Sequence, residues 1–171
     1  MSDIRIWHSS RDAYHCIYRF VRLLVAANRS VELERLRILD VFLLFPPLLH
    51  RISMPQNVKA AFRELEVKKP ELMFLRLPSP AAVYQELRIY QNSAIALISA
   101  QGLIDAKVYR TGLVEPKADS IPSALRAQAI ERNGIDENLL AFLLGPLSSV
   151  PLRGQDNIYR RVGLPSRVIT E

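Results

Sequence analysis

Cysteine is nearly absent from this chain. Cys16 stands alone, which excludes a disulfide framework and any zinc site built on paired thiolates. Histidine is scarce too, at three residues, and His8 and His15 beside Cys16 fit no metal-ligand spacing. His15 and Cys16 are neighbours on a helical pattern and point apart, so they make no catalytic pair. The six glycines stand singly, so neither a Walker phosphate loop nor a dinucleotide fingerprint can be assembled. Long apolar runs are missing. Val41–Leu49 is interrupted by Pro46-Pro47 and Leu139–Leu147 by Gly145-Pro146, both far short of the roughly 20 residues of a membrane helix. The opening residues, Met1 to Trp7, carry no apolar signal core or small-residue cleavage pattern. The expectation is a soluble, cytoplasmic protein with no cofactor, no metal and no membrane contact.

What is present is an ordinary globular composition with a basic excess. The 171 residues are 49% hydrophobic and 23% charged, enough for one domain with a real core. Lys and Arg number 23 against 17 Asp and Glu, a net charge of +6. Residues 1–60 hold nine of the bases and five of the acids, so the excess sits near the N-terminus. Only five of the bases are lysine, and Arg forks suit carboxylate or phosphate pairing, a partner-facing composition.

The chain reads as mainly α. Ser9 and Ser10 are N-cap candidates for a first helix over about 10–28, with Asp12 in its first turn. Its apolar arc is wide and takes in Cys16, expected as a buried structural thiol. Arg11, His15, Arg19, Arg22 and Arg29 are left as a narrow basic edge. Ser30 can cap a second helix over about 32–45, apolar nearly all round, whose Asp40 requires an Arg or backbone partner inside the core. Pro55 opens a third helix over 56–66, and Ser79-Pro80 a fourth over 81–101 with Gly102 at its C-terminal turn.

Leu103-Ile104, Val108-Tyr109 and Leu113-Val114 then read as β, with Arg110-Thr111-Gly112 as a turn. A hairpin at 103–115 after such a helix is the pattern of a winged helix-turn-helix core. Additional packing helices follow over 122–133, stopped by Asn133-Gly134, and over 136–144, capped by Asp136. One domain over 1–150 and a loose tail over 151–171, carrying Arg153, Arg160 and Arg161, complete the expected organisation.

No catalytic constellation emerges. The carboxylate pairs Glu64/Glu66 and Asp136/Glu137 read as solvated faces and caps, so no enzyme is expected. The candidate partner-binding residues are Arg11, Arg19, Arg22 and Arg29. The candidate DNA contacts are Arg88 on the fourth helix and Lys107, Arg110 and Lys117 around the wing.

Two blocks carry a family resemblance. Asp12-Ala13-Tyr14-His15, and Leu39-Asp40 followed by Phe42-Leu43-Leu44-Phe45-Pro46, together with Gly102-Leu103-Ile104, resemble the small middle component of bacterial ABC three-component systems over roughly residues 7–115. The resemblance implies a winged-helix-type subunit encoded beside an SMC-like or RecN-like ABC ATPase and a third component. Such systems are proposed to act against phage and plasmids, and the Lamassu type resembles them. It implies a bridging, kleisin-like role between the ATPase and an effector, with no catalytic residues to carry over.

The rival reading is a stand-alone winged-helix DNA-binding regulator. That requires a basic recognition helix, and 82–100 offers only Arg88 beside Glu86 and the neutral Tyr84, Gln85, Gln91 and Asn92. A small hydrolase would require a nucleophile–base pair that the chain does not show.

Overall fold

The structure is a computed structural model, described here for residues 11–69, 78–117 and 119–165. Asp12 itself caps the first helix, α1 (Ala13–Ala27), its carboxylate accepting from the Tyr14 amide at 2.7 Å. Ser9 and Ser10, expected as caps, lie outside the described residues. Asn28 ends α1 in the left-handed region at φ 48°, a conformation its short polar side chain tolerates.

A two-residue strand, β1 (Val31–Glu32), runs straight into α2 (Leu33–Leu44), so Ser30 is not its cap; Glu32 holds that position without a side-chain bond. Phe45 and Pro46-Pro47 end α2 in a 3-10 segment, Pro46–Arg51. Helix α3 (Gln56–Glu64) starts directly after Pro55. Helix α4 (Pro80–Ala100) is capped by the Ser79 hydroxyl, which accepts from the Ala82 amide. At its far end the Leu103 amide donates to Ile98 and the Gly102 amide to Ser99, with Gly102 at φ 69°. That pair of bonds is a Schellman closure, and it needs glycine at the left-handed position.

The expected hairpin over 103–115 is corrected at Val108-Tyr109. Asp105 accepts from the Lys107 and Val108 amides at 2.8 and 3.0 Å, and this cap turns Ala106–Tyr109 into the helical turn α5. Strand β2 (Leu113–Val114) instead pairs antiparallel with β1, Val31 opposite Val114 and Glu32 opposite Leu113. Ile104 bridges Pro116 on the following residues. Over the described residues the fold is therefore mainly helical with one small antiparallel sheet.

Helix α6 (Ser123–Ile135) runs through Asn133-Gly134 rather than stopping there, and α7 (Glu137–Leu144) follows after Asp136. The segment expected to be a loose tail is packed as far as it is described. A 3-10 turn, Leu147–Ser149, leads to α8 (Ile158–Arg161), capped by Asn157. Tyr159 is fully buried, with its ring 6.4 Å from that of Tyr84 on α4 and perpendicular to it. Apolar burial at Ile158, Tyr159, Val162 and Leu164 is what holds this stretch down.

The core lies where α1, α2 and α4 meet, with α6 on the outer side of α1 and α7 against α2. Among the described residues no helix is long and apolar enough to cross a membrane.

Candidate interaction surfaces

The basic edge expected on α1 divides in two. Arg19 and Arg22 are each only 6% exposed, so they are not a partner-facing surface. Arg19 donates through Nε to Asp40 Oδ1 at 2.5 Å and through Nη2 to Oδ2 at 3.2 Å. Gln91 of α4 donates to the same Oδ2 at 2.9 Å, and the Cys16 thiol lies 3.8 Å from it. Asp40 thus receives donors from α1 and α4 while sitting on α2 with no exposure. Burial opposes the charge on Arg19, yet the Asp40 carboxylate outweighs it and the guanidinium titrates above its usual range. Burial first, then the Asp40 charge, pushes the Cys16 thiol far up, so it is protonated and unreactive.

Arg22 is consumed one turn along. It donates to Asn133 Oδ1 at 3.0 Å and to Asp136 Oδ2 at 2.6 Å, and Asn133 returns a bond to the Arg22 carbonyl. Arg132 also reaches Asp136, at 3.2 Å. This clamp carries α6 past Gly134 and takes the Asp136 carboxylate away from capping α7. Arg35, which the sequence did not single out, is likewise buried, bonded to Glu32 and to the Val150 carbonyl. Its only sequence signal was the Glu32 spacing of three residues.

Arg11 and Arg29 remain at the surface. Arg11 pairs with Glu86 of α4 at 2.7 Å, both about half exposed, a geometry worth little in water. Tyr14, one turn on from Arg11, is 72% exposed. Arg29 lies 3.5 Å from the carbonyl of Leu144, the last residue of α7, where a cation complements the helix dipole.

The four expected DNA contacts also separate. Lys107, Arg110 and Lys117 are exposed on and beside α5 and β2. Lys107 and Lys117 flank Asp105, whose carboxylate is held below its usual range by the Val108 and Lys107 amides and then by these two cations. Arg88 is half-buried elsewhere, sharing the surroundings of Tyr84 with Arg37. Among the described residues no group of three or more His, Cys, Asp or Glu side chains could hold a metal ion.

Taken together, these features define a small, basic, mainly helical protein with Arg19, Arg22 and Arg35 turned inward and a set of exposed cations around a two-stranded sheet. The chain belongs to the family described as ABC-three component (ABC-3C) system Middle Component 5, whose model matches residues 5–167. No curated protein and no solved structure matches it.

Proposed function

We propose that this middle component is a non-enzymatic bridging subunit in an ABC three-component complex. In this reading it joins an SMC-like or RecN-like ABC ATPase to an effector, works in the cytoplasm, and couples DNA sensing to an antiviral or anti-plasmid response of the Lamassu kind. The observation that carries the reading is the family match over residues 5–167. A system of three components supplies two other chains as natural partners.

The chain order supports a winged-helix relationship. A strand between α1 and α2 pairs with one placed after α4, as in a winged helix, although a helical turn replaces the hairpin's first half. Lys107, Arg110 and Lys117 beside that sheet give DNA a route to the assembled complex. The partner-facing role falls to Arg11 and Arg29, since Arg19 and Arg22 are used inside the fold.

The test is mass photometry of a tagged copy purified at low salt from its native host. Co-purification with a large ATPase chain and a second protein is the expected result. A small homodimer that shifts duplex DNA by itself would replace this reading with the stand-alone regulator.

A further inference from the structure

We propose that a groove between the 3-10 segment and α3 is the docking site for an acidic, apolar-anchored peptide segment from another component of the system. The proposal rests on the three-component reading for the source of that peptide. The groove has a volume of about 530 Å³. Its floor is apolar, with Leu49, Ile52 and Phe62. Its rim is cationic, with Lys59, Arg63 and Lys69 all exposed, and among the described lining residues Glu66 is the one opposing charge. Among the described residues none of these three cations enters an ion pair.

The arrangement carries its own cost. Lys59 and Arg63 stand four residues apart on α3, where like charges on one helix face repel and destabilise the helix. Nothing in the packing of α3 requires them, because Val58 and Phe62 are the residues that bury its inner face. An acidic ligand would relieve the repulsion, and its apolar side chains would cover a floor that bare phosphate or duplex DNA would leave wet. Charge complementarity therefore selects an acidic partner, and the floor selects a peptide over a nucleic acid.

The floor is held rigid. His50 Nε2 lies 2.7 Å from the Val67 carbonyl, its ring packs edge-on against Phe62 at 4.9 Å, and Phe62 in turn meets Phe142 of α7. A preformed groove loses little conformational freedom on binding.

The test uses the full chain and the combined variant Lys59→Glu, Arg63→Glu and Lys69→Glu, all at exposed positions, with circular dichroism confirming that it folds. The probes are overlapping 15-residue peptides tiling the other two components, with a 30-base-pair DNA duplex as a control. The expected result is retention of one or a few net-acidic peptides with apolar residues, weakened at least tenfold by the reversal. Retention that is unchanged by the reversal, or confined to basic peptides, overturns the proposal. So does a duplex that binds the native chain and is released on reversal, which would make the rim a general polyanion surface. If the full-length components co-purify with both forms while no peptide binds, the groove is not the contact and the three-component reading stands. If nothing co-purifies with the native chain, that reading fails.

Discussion

Replacing Asp40 by Leu asks how much the buried charge network stabilises the fold. Asp40 has no exposure and accepts from Arg19 twice and from Gln91 once, with the Cys16 thiol at its edge. Leucine fills a similar volume, so the loss is mainly electrostatic. Arg19, itself 6% exposed, would keep its charge in the interior and lose the carboxylate to which it donates twice. Breaking a buried pair from one side costs about 3–5 kcal/mol, a large part of the roughly 5–15 kcal/mol that holds a domain folded. With an unfolding entropy of about 2.1 cal/mol/K per residue, a 171-residue chain has about 0.36 kcal/mol/K, so the melting temperature falls by about 8–14 °C. Removing both charges, Arg19→Leu with Asp40→Leu, restores most of the loss because no charge is stranded; the double variant is expected within about 2 kcal/mol of the native chain. Thermal and urea unfolding followed by far-UV circular dichroism, read as a double-mutant cycle, measures both numbers. A fall of less than about 3 °C for the single variant, or a double variant as unstable as the two singles added, would refute the reasoning.

Three further outcomes follow from the same geometry. Cys16 keeps its proton in the native state while the unfolded chain loses it above its ordinary value of 9.0, so the unfolded state binds fewer protons and stability declines as pH rises past that point. Urea titrations between about pH 9 and 10 check this slope of at most about 1.4 kcal/mol per pH unit, which Cys16→Ala should flatten. Gly102→Ala and Gly134→Ala should have opposite signs, although a Cβ meets nothing within 4 Å at either position. The first forces alanine to φ 69° and lowers stability by about 1 kcal/mol, whereas the second lies inside α6 and raises it by about 0.5–1 kcal/mol; melting temperatures decide, and a loss at Gly134 would mean that the helix ends there. Charge reversal of Lys107 and Arg110 together should reduce DNA retention by the assembled complex and lower its salt dependence by about one unit for each phosphate that is no longer neutralised, with the fold intact. Unaltered retention in a filter-binding salt titration removes that surface from consideration.

Most of the helices were legible because periodicity and capping are local. The left-handed stop at Gly102 needed only the residue itself, and the acid within an apolar α2 announced that a partner must exist. Which partner was not legible: Arg19 lies 21 residues away from Asp40, and Asp136 lies 114 from Arg22. A row of arginines beside an apolar arc looks the same whether it faces water or carboxylates delivered by α2 and the α6–α7 junction. The misread elements share that cause. Val108-Tyr109 has strand propensity, but the Asp105 cap decides for a helical turn. Asn133-Gly134 is a stop signal that the Arg22 clamp overrides, and the segment after 150 looked loose until Tyr159 met Tyr84.

The division between the two basic side chains also bears on function. Arginine was read from composition as the partner-facing residue, yet Arg19, Arg22 and Arg35 are buried, while Lys59, Lys68, Lys69, Lys107 and Lys117 are all exposed. The reason is physical: a guanidinium is weakly hydrated and its planar fork can satisfy a carboxylate and a carbonyl at once, so it tolerates the interior, whereas a strongly hydrated ammonium stays in water. Internal pairing removes the buried arginines from any binding surface. Among the described residues, exposed cations remain around α3, around the sheet and at Arg11 and Arg29, and those places, not Arg19 and Arg22, are where substitution should separate binding from folding.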